Sequence, residues 1–311
     1  MEKSRGIVLK CVGGLYTVRD GGGAGDIKCR ARGLFRHNDI SPEPGDNVLI
    51  ECENAWDSSS VITEIVDRRS LLIRPAVANL DTMFVTLSAA RPATVLQTAD
   101  KLISSLEHNG IEPVIVVTKS DLDPNEADNL RNIYTRAGFS VFVTGKGGCG
   151  TEELREYIRS SAGRGISAFS GASGVGKSTV INALFTTDIL KTGTVSERTG
   201  RGKHTTRAVE LYPLDEMGFP DCCGFLADTP GFSALDFIEF DFFEIGELPE
   251  NFREFRDYLG TCRYKKCTHL KEEGCSILKA VEEGIIPPSR HESYKAIYSE
   301  MKKRKPWEKR S

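Results

Sequence analysis

No stretch of this sequence is long and apolar enough to cross a bilayer. The longest apolar runs, residues 113–117 and 83–87, fall far short of the roughly 20 residues that a spanning helix needs. A secretory leader is not expected either, because Gly13, Gly14 and Arg19 interrupt the apolar positions near the N-terminus. A membrane is therefore not an expected partner. A disulfide framework is also missing. The nine cysteines are an odd number and most are scattered, so a reducing cytoplasm is the simpler expectation. An excess of one charge is absent: 41 Lys and Arg stand against 44 Asp and Glu, a net charge of −3. The chain as a whole is not built to coat a polyanion, so any basic surface must be local.

What is present is ordinary for a globular protein, with 39% apolar and 27% charged residues. A length of 311 residues predicts two or three domains. Residues 1–70 read as five short strands, at 6–11, 15–19, 27–32, 47–53 and 60–66, punctuated by Gly13-Gly14, Gly21-Gly22-Gly23 and a Pro/Gly turn at 42–46. That spacing predicts a small closed β-barrel of the OB-fold type, which would bind RNA. Residues 71–235 alternate strands (81–88, 113–118, 141–144, 165–170, 225–228) with helices (95–109, 124–137, 177–185). Such alternation predicts a multidomain α/β protein with a mostly parallel sheet. Residues 236–311 read as a helical domain with a Cys/His cluster and a basic tail.

Gly171-Ala172-Ser173-Gly174-Val175-Gly176-Lys177-Ser178 matches the GxxxxGK[ST] pattern between a strand and a helix. Its glycines let backbone N–H groups turn inward onto phosphate oxygens, and the helix N-terminus adds positive dipole there. Lys177 is expected on the β- and γ-phosphates and the Ser178 hydroxyl on Mg²⁺. The flanking Ser170 and Thr179 complete the expected phosphate-side set.

Thr118-Lys119-Ser120-Asp121 ends an apolar strand and fits [NT]KxD. A carboxylate at Asp121 can accept from guanine N1–H and the 2-amino group, a pair of donors that adenine lacks, so GTP is expected over ATP. Lys119 would pack along the base with its stem. Thr118 replaces the more usual Asn, which weakens the case for a contact to guanine N7. Thr144, in Val143-Thr144-Gly145-Lys146, marks a second base-contacting loop.

No [NT]KxD follows the phosphate loop. The base motif precedes it by fifty residues, so the GTPase motifs stand in circularly permuted order. Asp228-Thr229-Pro230-Gly231 fits DxxG, with Asp228 on the Mg²⁺ side and the Gly231 N–H near the γ-phosphate. Phe232 follows where many GTPases have a water-orienting Gln. A phenyl ring cannot orient water, so the catalytic group must lie elsewhere or on a partner. In the glycine-rich segment 199–207, Thr205 and Thr206 are the candidate Mg²⁺ ligands of the first switch, and His204 is the nearest group able to position a water.

Cys262-x4-Cys267-x-His269-x5-Cys275 offers three thiolates and one imidazole, the donor set of a closed tetrahedral zinc site. Residues 289–311 are rich in Lys and Arg, including Lys302-Lys303-Arg304-Lys305, with Tyr294, Tyr298 and Trp307 interleaved. Beside a barrel and a zinc module, that tail is expected to meet RNA.

The order TKSD, GASGVGKS, GKHTT and DTPGF, with a barrel-like N-terminus and a Cys/His C-terminus, resembles the bacterial ribosome small-subunit-dependent GTPase A family (RsgA, YjeQ or EngC). The resemblance covers nearly the whole chain. It implies an OB-fold, a permuted GTPase domain and a zinc-binding domain. It also implies a late maturation factor of the small ribosomal subunit, with slow intrinsic GTP hydrolysis stimulated by that subunit. The family's switch histidine falls on His204, and its habit of a hydrophobic residue in place of Gln falls on Phe232. The implied partners are the small subunit and its rRNA, with the protein itself a monomer. The alternative is an RNA-binding adaptor that holds nucleotide but hydrolyses it poorly. A P-loop ATPase or kinase is disfavoured by Asp121.

Overall fold

The fold is described from a computed structural model. The described residues are 2–303, apart from 24, 34, 36–39, 53–59, 74–75, 186–208 and 229–242. The chain forms two compact units, one of Met1–Thr82, Glu156–Phe169 and Phe185–Gly231, the other of Met83–Arg155, Ser170–Leu184 and Phe232–Ser311.

The first unit begins with β1 (Glu2–Val12), β2 (Leu15–Asp20), β3 (Asp26–Ala31), β4 (Asn47–Cys52) and β5 (Ser60–Ile65). Alternation decides their faces. Tyr16, Val18, Ile27, Cys29, Val48, Ile50 and Ile62 turn inward with Val8 to form a dry interior. The strands run β1-β2-β3-β5-β4, and β1 also pairs with β4, which closes the barrel. The β3–β5 pairing is parallel and the others are antiparallel. This is the five-stranded OB arrangement expected from the spacing. At Gly6 a Cβ would stand 2.6 Å from the Arg19 carbonyl oxygen, so the long β1 can cross β2 there only without a side chain. Below the barrel, Asp46 is fully buried and receives two 2.7 Å hydrogen bonds from the Arg68 guanidinium.

A short hairpin follows, β6 (Leu71–Ile73) with β7 (Ala76–Ala78), and then β8 (Leu80–Ser88), β9 (Glu112–Thr118), β10 (Val141–Val143), β11 (Ile166–Ser170), β12 (Glu210–Pro213) and β13 (Phe225–Asp228). In the first unit β11 and β13 run parallel, β12 is antiparallel to β13, and β1 of the barrel pairs with β12. β12 was not anticipated from the sequence pattern. In the second unit β10 and β9 run parallel and β8 lies next to β9. β9 is buried on both faces, as its unbroken Pro-Val-Ile-Val-Val run predicts.

Among the described residues, the α-helices of the second unit are α1 (Leu96–His108), α2 (Pro124–Arg136), α3 (Thr151–Tyr157), α4 (Lys177–Leu184), α5 (Ser276–Glu282) and α6 (Pro288–Lys303). The Asp123 carboxylate caps α2 by accepting from the Glu126 N–H at 3.0 Å, with Pro124 in the first turn. Phe252, Phe255, Ile277, Ile286, Tyr294 and Ile297 form the C-terminal core.

Arg290 is fully buried beside that core. Its Nη1 donates to Asp100 Oδ1 at 2.5 Å and its Nε to Glu254 Oε1 at 2.6 Å, and the guanidinium lies 4.7 Å from the Phe252 ring centre. Asp100 also accepts from the Tyr134 hydroxyl at 2.9 Å. Burial disfavours the charged guanidinium, but the two carboxylates outweigh it and hold its pKa above the ordinary value. One expectation is corrected here. Arg290 and Tyr294 were grouped with the basic, RNA-facing tail, yet both are buried, and Tyr298 packs on the same core. Residues 304–311, with Arg304, Lys305 and Trp307, lie outside the described residues.

Candidate nucleotide site and metal centre

β9 delivers Thr118 to the end of the strand, and the chain then turns sharply at Lys119, whose φ is +58°. That left-handed turn sends the Lys119 side chain back toward the phosphate loop. Its Nζ donates to the Gly174 carbonyl at 2.7 Å and the Arg91 carbonyl at 2.8 Å. The Ser120 N–H donates to the Thr144 carbonyl at 3.2 Å, and Asp121 Oδ1 accepts from the Lys146 N–H at 2.9 Å. The two base-side loops are therefore tied to each other. The loops approach closely at Gly145, where a Cβ would stand 2.8 Å from Ser120 Oγ. Thr144 is buried, and its hydroxyl donates to the Val117 carbonyl at 3.2 Å.

Thr118 explains itself in the same geometry. It is 3% exposed, and its hydroxyl lies between the carbonyl oxygens of Val175, on the phosphate loop, and Leu87, the latter at 3.1 Å. The side chain is committed to backbone. It ties the base-reading strand to the phosphate loop.

The phosphate loop starts from Ser170, fully buried at the end of β11. Gly174 and Gly176 take φ of +77° and +106°, and Gly171 is so close to Thr86 that a Cβ would meet its carbonyl oxygen at 2.9 Å. Ala172 and Ser173 are exposed, Val175 is buried, and Lys177 Nζ donates to the Gly171 carbonyl at 3.0 Å across the loop mouth. Ser178 is exposed in the first turn of α4, an oxygen donor suited to a hard cation. A cavity of about 230 Å³ runs from the base-side loops to the end of the phosphate loop, lined by Thr118, Lys119, Asp121, Thr144, Lys146, Gly176 and Thr179 among others. Asp228 is the last residue of β13. His204, Thr205, Thr206, Gly231 and Phe232 lie outside the described residues.

In the C-terminal segment, one ligand atom from each of Cys262, Cys267, His269 and Cys275 lies within 4.8 Å of every other. Cys262 Sγ is 3.8 Å from Cys275 Sγ and 3.6 Å from His269 Nδ1, and His269 Nδ1 is 3.4 Å from Cys275 Sγ. Tetrahedral zinc with Zn–S of about 2.3 Å and Zn–N of about 2.0 Å sets neighbouring ligand atoms roughly 3.5–3.8 Å apart. The donor set and its spacing fit that ion. Burial lowers the His269 pKa and keeps the ring neutral, as a metal ligand must be. Burial also pushes the Cys267 thiol up to about 12, so a dication is what would turn it into a thiolate. Around the ligands, Glu272 accepts from the Thr268 and Leu270 N–H groups at 2.9 Å and the Lys271 N–H at 3.1 Å. Burial opposes the charge on Glu272, but the Thr268 hydroxyl, together with the Thr268 and Lys271 N–H groups, holds its carboxyl down to about 2. From α6, the His291 ring nitrogen lies 2.8 Å from the His269 carbonyl, and the Tyr294 hydroxyl donates to the Thr268 carbonyl at 2.8 Å.

The family model for the RsgA GTPase matches residues 65–238, and that for the RsgA N-terminal domain matches residues 5–59. The chain belongs to the RsgA GTPase family. Among its relatives, the small ribosomal subunit biogenesis GTPase RsgA of Caldanaerobacter subterraneus is 39% identical over 306 residues, 98% of each chain. That of Bacillus velezensis is 38% identical over 307 residues, covering 97% of this chain and 98% of the relative. In three dimensions YjeQ from Thermotoga maritima is similar at a TM-score of 0.79 and 32% identity, covering 98% of this chain and all of the other. YloQ, a circularly permuted GTPase, is similar at a TM-score of 0.76 and 30% identity, covering 98% and 97% of the two chains.

As an RsgA-family GTPase the chain acts on GTP with Mg²⁺, and its Cys/His cluster is able to hold a metal ion. Sequence reasoning missed two parts of this site. Thr118 was weighed only as a base contact, whereas a hydroxyl at the buried end of a strand also suits a backbone tether. α3, whose Thr151 lines the base cavity, left only a weak signal, a Thr-Glu-Glu start after glycines.

Proposed function

We propose that this chain hydrolyses GTP on the small ribosomal subunit during the late maturation of that particle. The observation that carries the reading is the meeting of the base loops and the phosphate loop around one cavity, in permuted order, within a family whose named relatives are small-subunit biogenesis GTPases. Asp121 would accept from the guanine edge and Lys177 would hold the β- and γ-phosphates. Ser178, Asp228 and one of Thr205 or Thr206 would serve Mg²⁺. The barrel, residues 1–70, and the basic end of the chain would contact rRNA. Residues 71–235 would form the GTPase domain, and residues 236–311 would be organised by one structural Zn²⁺ on Cys262, Cys267, His269 and Cys275. The protein would work as a cytoplasmic monomer. Among the described residues no helix is long and apolar enough to cross a membrane.

With Phe232 in the glutamine position, free protein should turn over slowly, and the subunit should bring His204 to the attacking water. One positioned acid, base or water-orienting group contributes on the order of a hundredfold. The test is GTP turnover of wild type and His204→Ala, with and without purified small subunits. Subunit stimulation in the wild type, and its loss in the variant with GTP affinity retained, is the expected result, the signature of a missing transition-state contact. Equal turnover with and without subunits would favour the RNA-binding adaptor instead.

A further inference from the structure

A second cavity abuts the phosphate loop, and nothing in the GTPase chemistry above uses it. It measures about 370 Å³. Residues 85–87 of β8, residues between 93 and 102 at the start of α1, and residues between 171 and 175 of the phosphate loop line it, all within the second unit. It shares no described lining residue with the base-side cavity, which reaches the loop only at Gly176. Among the described residues the lining holds no charged side chain, and Val85, Leu87, Ala99, Leu102 and Val175 supply apolar walls. Such walls suit a neutral, mainly apolar molecule. A dry apolar cavity less than half this size takes up benzene, so one substituted ring has room here.

Two polar features meet at these walls. Thr86 lines the cavity and is 2% exposed, and its hydroxyl has no hydrogen-bond partner among the described residues. A buried hydroxyl without a partner is uncommon, because it has given up its bonds to water for nothing. The other feature is the start of α1, where Val95 and Thr98 line the cavity. No side chain caps this helix and its first turn holds no acidic residue, so the positive end of its dipole is uncompensated there. A hydroxyl donor and a positive helix end both favour an oxygen acceptor.

We propose that this cavity binds an uncharged small molecule, a ring or short branched chain that carries one carbonyl oxygen. The apolar walls take the body of the ligand, and the Thr86 hydroxyl donates to the carbonyl. The phosphate loop forms one wall, so the ligand touches that loop without competing for guanine. Ligand and GDP are therefore held together.

The probes are para-fluoroacetophenone and para-fluoro-α-methylstyrene, which has the same shape but a CH₂ group in place of the carbonyl oxygen. Fluorine NMR follows their binding to the full chain with and without GDP, and GDP affinity and melting temperature report the fold of each variant. Both probes should bind whether or not GDP is present. Thr86→Val keeps the shape and removes the hydroxyl, so it should weaken the ketone by about fivefold and spare the hydrocarbon. Thr86→Ser keeps a hydroxyl and should retain the ketone. Ala93→Phe fills the cavity from its exposed rim and should block both probes. Three results overturn the proposal: no binding to the wild type at millimolar probe, displacement of the probes by GDP, or equal losses of ketone and hydrocarbon in Thr86→Val. Should Thr86→Val not fold, Ala93→Phe still decides, because probes that bind it unchanged lie elsewhere.

Discussion

The base and phosphate loops and the Cys/His segment lie in the same compact unit but are held by opposite means. At the nucleotide site the backbone does the work. Strand ends and positive-φ glycines fix the loops, and side chains such as Thr118 and Lys119 are spent on carbonyls. The Cys/His segment has little regular structure between Tyr258 and Ser276, and side chains organise it: four ligand atoms, the Glu272 carboxylate, and the clamps from His291 and Tyr294. A site built on backbone survives the loss of any one side chain better than a site built on side chains. The two should therefore fail differently.

The hardest blow to that contrast is to remove the metal ligands. Cys262→Ser with Cys267→Ser should unfold the segment, since a structural zinc site is worth on the order of 10 kcal/mol of folding. Limited proteolysis should cut the variant within residues 259–275, whereas GDP titration should show a working base site. Loss of GDP binding would mean that the two regions are one. Metal analysis of the wild type should give one zinc per chain.

Arg290→Met probes the place where the C-terminal core meets α1. It leaves Asp100 and Glu254, 1% and 3% exposed at their side chains, as buried carboxylates without their cation. Breaking a buried pair from one side costs about 3–5 kcal/mol. Denaturant unfolding should report a loss of that size, and a cost below about 1 kcal/mol, the range of surface pairs, would show that water reaches the network.

Within the nucleotide site, Asp121→Asn should move preference from guanine to xanthine nucleotides by about a hundredfold, because the new amide mismatches the guanine edge. Competition between GTP and XTP measures it, and an unchanged preference takes Asp121 out of the base site. The smallest effect belongs to Thr118→Val. Losing one backbone tether should weaken GTP and GDP together by about fivefold, with base preference intact. A change in base preference would return Thr118 to the role of a base reader.

Much of this contrast was legible in the sequence. Phosphate loop, base motif and ligand spacing are local patterns, and each stood between the elements its chemistry requires. Non-local features were not legible. Asp100 and Arg290 are 190 positions apart, and a charged residue in a basic stretch gives no local sign that it will be fully buried. β12 is short, and what makes it a strand is its two neighbours and not its own four residues. The same holds for α3, which is only seven residues long.

The pairing of β1 with β12 has a consequence for how the chain is made. Lys10 and Glu210 are 200 residues apart, so at roughly 5–20 residues per second the ribosome needs on the order of 10–40 s to supply the partner. Until then the far end of β1 is an open edge on a barrel that can already close, because residues 2–7 of β1 pair with β4. An open edge invites pairing with another chain, and a lysine is the kind of residue that discourages it. Lys10 would thus serve the nascent protein first as a guard against misassembly, and only later as half of an ion pair.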